Sequence, residues 1–276
     1  MNITVGKYTL GTLDLLDDDP RGSVQIWEMP RSNANYVVAC DPSYGQAGWD
    51  RSLRTEDDEK TDNCAVEVIR CGTRGSPDIQ VAEYAAPIDA EDAAAVVNFL
   101  GRMYGGASEE EQALAIVEAY PGPGLLTQRE LINRFGYSNL FIWQQLDRMI
   151  MKPTLQYGWY SSRESRQALW IRGTRHILKE KRIILNSPDL IEEMTDCVRD
   201  NFLNFTARAK WGSHDDRVLA LLMAIWAGNE WSFENAPEEA AKPTITGNAS
   251  WQSSDLTSEE MQDEWNERIA ALGGEL

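Results

Sequence analysis

Carboxylates stand in three places where carboxylates are expensive. Asp41 follows directly on the apolar run YVVAC (36–40), and Glu118 interrupts ALAIVEAY (113–120). Asp215 and Asp216 open the otherwise apolar HDDRVLALLMAIWA (214–227). Taking an isolated carboxylate out of water is costly, so each needs a partner. No lysine or arginine is adjacent in sequence to Asp41 or Glu118. One economical solution is that the acids converge and share divalent cations, which is the donor set of metal-assisted hydrolysis. Each position also has a simpler reading. Asp41 in DPSYG can be a turn residue, Glu118 can accept hydrogen bonds from the Pro-Gly turn behind it, and Asp215 or Asp216 can cap a helix. The combination, on two strands and a late helix, is more specific than any of its members.

The remaining composition narrows the chemistry. The 276 residues correspond to one large domain or two small ones. Four cysteines (Cys40, Cys64, Cys71, Cys197) form no CxxC pair, which argues against a disulfide scaffold or a zinc ribbon. With His176 and His214 the only histidines, a multi-histidine site is excluded, and any metal must be a hard cation held by oxygen. No apolar run approaches the roughly 20 residues of a membrane helix. The N-terminus lacks the basic start and apolar core of a secretory signal. There is no GxGxxG after a strand, no nucleophile–histidine pair and no GxxxxGK[ST]; VGKYT lacks both the preceding glycine and the hydroxyl residue after lysine.

The net charge of -18 is unevenly spread. From 229 to the end, 11 acids face only Lys242 and Arg268. From Arg129 to Arg182, 11 bases face four acids. A local basic face can hold phosphates on an acidic protein, although an arginine-rich solvated helix face would look the same.

The acids must be positioned by the elements around them. Residues 1–35 read as a leading segment and linker with an edge strand around Val24, Ile26 and Met29. Runs 36–40, 64–72 and 79–87 read as three strands of an antiparallel meander. Asp89 then caps a helix with Ala93, Val96, Val97, Leu100 and Met103 on one face. A fourth strand (113–120) leads through Pro121–Gly124 into a helix from about Leu125 to Phe135, and 139–145 reads as a fifth strand. A basic helix over 162–179, a short extended piece over 182–186, a helix after Ser187-Pro188 reaching Val198, and the helix over 214–227 complete the body. This order implies an α/β fold, a mixed sheet of five or more strands flanked by helices, with the antiparallel meander preceding parallel strands. In such a sheet the first and fourth core strands are neighbours, and their carboxyl ends present Asp41 and Glu118 side by side. Residues 229–276 read as an acidic tail in which Thr257 and Glu260 resemble a capping box, ahead of Met261, Trp265, Ile269 and Leu272 at helical spacing.

Across residues 36–228 the pattern resembles the nuclease domain of tailed-phage DNA-packaging terminase large subunits, of the RNase H-like superfamily. VVACDPSYG followed by DNCAVEVI is similar to the first motif, AIVEAYPGPGLL to the second, and GSHDDRVLALLMAIWA to the Gly-x-His-x-Asp-Arg helix of the third. The segment from YGWYSSRESRQALW to NSPDLIEEM resembles the Gly-Trp segment between them. The stretch from Gln46 to Thr61 lengthens the first motif. The resemblance implies Asp41, Glu118 and Asp216 as metal ligands, with Asp215 as a possible fourth. Adjacent helix positions diverge by about 100°, which argues against both aspartates binding the same ion. Asp62 matches an acidic position that would support the ligands from behind. His214 would orient water or the scissile phosphate, or simply pack at the helix start.

The function so implied is a metal-dependent DNA endonuclease of viral genome packaging. Two Mg²⁺ or Mn²⁺ ions would lie roughly 3.5–4 Å apart, bridged by Asp41. Arg148, Lys152, Arg163, Arg166, Arg172 and Arg175 would grip the backbone of double-stranded DNA with little sequence preference. Implied partners are a terminase ATPase domain, the small terminase subunit and the portal, in the host-cell cytoplasm with no membrane. The chain would then be a fragment of an ATPase–nuclease or a nuclease that stands alone. Another RNase H-like nuclease (a junction resolvase or hybrid nuclease) and a non-catalytic module binding partners through the tail are the competing readings.

Overall fold

The computed structural model describes residues 5–10, 16–43, 63–73, 75–105, 111–119, 122–147, 152–199, 207–209 and 214–234. Its centre is the run YVVACD, which forms β4 (Tyr36–Asp41), buried over its whole length. A strand with no polar alternation must be covered on both faces, and this one is. Val37 and Ala39 face a core shared with α3 (Arg163–Thr174), α4 (Pro188–Asp196) and α5 (Asp216–Glu234). Tyr36, Val38 and Cys40 face the opposite core, shared with α1 (Ala90–Met103) and, through Leu131, α2 (Pro123–Asn133). Fully burying each aliphatic side chain in these layers contributes roughly 1.5–3 kcal/mol.

β4 pairs antiparallel with β5 (Cys64–Arg70), and β5 with β6 (Asp78–Ala86), with a register shift at Val68/Ile69. This is the expected meander. On its other edge β4 pairs in parallel with β7 (Leu114–Val117), Cys40 lying opposite Val117. The leading segment contributes more than one edge strand. β1 (Gly6–Leu10), β2 (Leu16–Asp18) and β3 (Val24–Ile26) extend the sheet in the order β2-β1-β3-β6-β5-β4-β7.

Helix starts follow local chemistry. Asp89 accepts from the amides of Glu91 and Asp92, and Ser187 from that of Leu190. Ser162 and Ser165 cap α3 reciprocally. The basic helix ends as a π-helical turn, Arg175–Lys179.

Two expectations need correction. The run 139–145 is not a full strand of the main sheet. Leu140 bridges Ala115, then the chain leaves as β8 (Ile142–Asp147) to pair antiparallel with β9 (Lys152–Tyr157) in a separate ribbon. Trp143 packs edge-on to Trp159 and against Trp226 of α5, which anchors the ribbon to the helical layer. α4 also stops at Asp196 instead of reaching Val198. The piece 182–186 supplies β10 (Ile183–Ile184), parallel to β6, while Cys197–Arg199 becomes β11 and pairs with β12 (Ala207–Ala209). Cys197 still reaches the core that α4 serves.

Candidate functional site

The parallel pairing of β4 and β7 determines where the acids fall. Glu118 extends β7 by one residue, its amide donating to the Cys40 carbonyl at 3.0 Å. Alternation along both strands then places Asp41 and Glu118 on the face that α5 covers. Asp216, the first residue of α5, lies buried close enough to raise the proton affinity of Asp41. Three acids from distant parts of the sequence therefore meet at one end of the sheet.

The turn after Glu118 is glycine-dependent. α2 begins so close behind Glu118 that a Cβ at Gly124 would lie 1.9 Å from the Glu118 carbonyl oxygen. On the other side Trp159 forms a parallel bridge with Glu118, and its carbonyl accepts from Ala119 at 2.6 Å. Gly158, at φ +79, makes that approach possible, since a Cβ there would meet the Val117 oxygen at 2.3 Å. Glu118 is thus held from three sides by backbone.

The electrostatics are those of crowded carboxylates. Burial, and then the charges of Glu118 and Asp216, push the Asp41 pKa well above the ordinary range, against a weaker pull from Arg166. Arg166, from the second turn of α3, donates to Glu118 at 3.3 Å and to the Ser161 hydroxyl at 3.1 Å. Burial disfavours its charge, but Glu118, Asp41 and Asp215 outweigh that and raise its pKa. Asp216 Oδ2 accepts from the Asn63 amide at 3.1 Å and lies 3.5 Å from His214 Nδ1. Asp215 is half-buried and starts α5 through its carbonyl, which accepts from Leu219 at 2.8 Å. The two adjacent aspartates differ as helical geometry requires, Asp216 buried and Asp215 half-buried.

Among the described residues, no group of three or more His, Cys, Asp or Glu side chains is drawn tight enough to hold an ion as it stands. The donor set nevertheless suits one. All the oxygens are hard, and beyond burial it is the negative charge of Glu118 and Asp216 that raises the affinity of Asp41 for a proton.

The expected basic contacts divide. Among the described residues of this set, Arg166 is the one with a contact to the acids, through Glu118. Arg163 is exposed at the start of α3, Arg175 pairs with Glu180 at 2.9 Å, and Arg172 stacks 4.5 Å over the Trp226 ring. Arg148, Asp62 and the side chain of Lys152 lie outside the described residues.

Sequence reasoning missed a second acidic group on the same sheet face. Glu67 of β5 and Glu83 of β6 are register partners, both buried, and Arg217 of α5 donates to Glu83 at 3.2 Å and to Glu193 of α4. The signal was present, because Glu67 interrupts CAVEVIR as Glu118 interrupts its own apolar run.

No protein-family model and no curated protein matches the chain. Among solved structures it is similar to the large terminase nuclease from thermophilic phage G20c, crystallised with bound magnesium. Identity is 15%, with 80% of this chain and 91% of that chain covered at a TM-score of 0.50. The mixed sheet, whose main path is antiparallel through β4 and parallel beyond it, with helices on both faces, is the fold the chain shares with that nuclease.

Proposed function

We propose that the chain is a metal-dependent endonuclease acting on double-stranded DNA. The observation that carries this reading is the convergence of Asp41, Glu118 and Asp216 at the carboxyl end of β4 and β7, under the start of α5. The magnesium bound in the phage nuclease is in keeping with it. Asp41, Glu118 and Asp216 would hold Mg²⁺ or Mn²⁺, with Asp215 at the margin. Bound there, the cations would supply a nucleophile at neutral pH and charge stabilisation for an in-line displacement at phosphorus.

The chain's own residues do the rest. Burial and the neighbouring acids raise the proton affinity of Asp41, so protons would compete with cations for its oxygens and cation affinity would rise with pH. Arg166 is the one described guanidinium against the acids, where it can turn from Glu118 towards a backbone phosphate. His214, beside Asp216, can orient water or phosphate. Arg163, exposed at the start of α3, would hold the duplex by its phosphates, without reading bases. Cleavage of concatemeric DNA during viral genome packaging, together with a terminase ATPase domain, the small subunit and the portal, is the setting this reading implies. No helix among the described residues is long and apolar enough to cross a membrane.

The test is plasmid cleavage with Mg²⁺, Mn²⁺ or EDTA, comparing wild type with Asp41→Ala and Glu118→Ala. Metal-dependent nicking and linearisation that both variants lose is the expected result. Equal behaviour of wild type and variants would refute it.

A further inference from the structure

The residue after Asp216 reaches a different set of partners. Arg217 Nε donates to Glu83 Oε1 of β6 at 3.2 Å, and Nη1 donates to Glu193 Oε1 of α4. Nη2 lies 3.7 Å from Asp189 Oδ2 at the start of α4. The Arg217 backbone amide donates to the other Glu193 oxygen at 3.0 Å, so one carboxylate grips both the side chain and the first turn of α5. A carboxylate at a helix N-terminus is also favoured by the helix dipole.

The partners are themselves anchored. Gln80 donates to Glu67 at 2.8 Å, lies 3.5 Å from Glu83, and accepts from the amides of Asn186 and Ser187 just ahead of α4. A buried ion pair is weak evidence for stability, since apolar packing often serves as well. What a guanidinium fork adds is direction, because its donors lie in one plane at fixed angles.

We propose that Arg217 is the positioning residue of the site. Clamped between β6 and α4, it fixes the rotation of the first turn of α5 and so holds the Asp216 carboxylate towards Asp41. The inference rests on the reading of those acids as cation ligands. It assigns Arg217, Glu83 and Glu193 a role in cation affinity that none of them fulfils by touching the cation.

The experiment uses the full chain, with Arg217→Lys, which keeps the charge and loses the fork, and Glu193→Gln, which keeps an acceptor for the Arg217 amide. Mn²⁺ affinity is read from the free-ion electron paramagnetic resonance signal. Hydrogen exchange at Leu219, whose amide bonds the Asp215 carbonyl, is read alongside it. Losing a residue that orients a metal ligand typically costs about 10–100-fold in affinity. R217K is therefore expected to weaken Mn²⁺ binding within that range and to exchange faster at Leu219, with E193Q between it and wild type. Wild-type Mn²⁺ affinity in R217K overturns the proposal, whatever its exchange rate. Should R217K fail to fold, Glu83→Gln, which weakens one arm of the fork, is read by the same criteria. If the wild type binds no Mn²⁺, the cation reading fails separately, and exchange alone decides the clamp: unchanged protection in the variant overturns it.

Discussion

Glu67→Gln is expected to flatten part of the pH dependence of folding stability. Glu67 is fully buried on β5, opposite Glu83. Its Oε2 accepts from Gln80 at 2.8 Å, while Oε1 has no hydrogen-bond partner among the described residues. Burial first, and then the Glu83 carboxylate, push its pKa well above the ordinary 4.5, against weaker pulls from Gln80 and Arg217. The folded chain therefore keeps a proton that the unfolded chain releases. The stability this proton contributes is fully present below 4.5 and is lost as pH rises towards the folded pKa. Over that window the loss is about 1.4 kcal/mol per pH unit, the value for one proton. Glutamine has nearly the same shape and does not titrate. Urea unfolding of wild type and E67Q in EDTA, at unit steps from about pH 5 to about pH 8, reads the difference with m unchanged. Asp41 is raised in both proteins and cancels. The gap should widen in favour of E67Q at about 1.4 kcal/mol per unit until the folded pKa is passed. A constant gap, or an E67Q that loses ground as pH rises, would mean that Glu67 is ionised in the fold, and would refute the reasoning.

Asp41→Ala and Glu118→Ala should each lower metal-dependent cleavage by more than the roughly 100-fold upper figure for residues that only support a ligand, measured under single-turnover conditions. Mg²⁺ at about 100 times its Kd should stabilise the wild type by about 2.7 kcal/mol, and should leave Asp41→Ala close to its EDTA midpoint in the same thermal scan. Gly124→Ala forces a Cβ to within 1.9 Å of the Glu118 carbonyl. Overpacking of this kind costs about 1–3 kcal/mol, and urea midpoints together with the cleavage rate would show both the strain and the displaced Glu118. Arg166→Ala should weaken DNA binding and reduce the slope of log K against log salt by about one, as fluorescence anisotropy would measure.

The local parts of this site are legible because they are local. YVVAC and ALAIV are short apolar runs bounded by turn residues, the pattern of buried strands, and an acid at the end of each falls at a strand's carboxyl end once the two pair in parallel. Asp89 and Ser187 supply a side-chain oxygen where a helix begins, which is why those starts are readable. Partner choice is different. IWQQLD alternates well enough to join the main sheet, yet it pairs with β9, and what decides this is the contact of Trp143 with Trp159 and Trp226, far away in sequence. Cys197 and Val198 keep helical spacing but are drawn into β11 by Ala207–Ala209. Charge alone does not tell an arginine that meets the acids from one that covers a ring, which is the difference between Arg166 and Arg172.

One sheet face therefore carries two acidic groups, and the cation set among each tells them apart. The inner group holds Arg217, whose side chain is 17% exposed and engages Glu83 and Glu193 together. Removing that charge would leave the Glu83 and Glu193 carboxylates, which have little access to water, unpaired, so it is fixed in place. The outer group holds Arg166, 37% exposed and joined to Glu118 by one contact of 3.3 Å. A single long contact to a partly exposed guanidinium is a weaker tie than a fork, so cations can compete for the Glu118 oxygens and phosphates for the guanidinium. Asp41 belongs to this outer group, its proton affinity raised by burial and then by Glu118 and Asp216, and only partly relieved by Arg166. A group of acids left short of positive charge is suited to exchangeable cations, whereas one gripped by a guanidinium fork is suited to holding a helix in place.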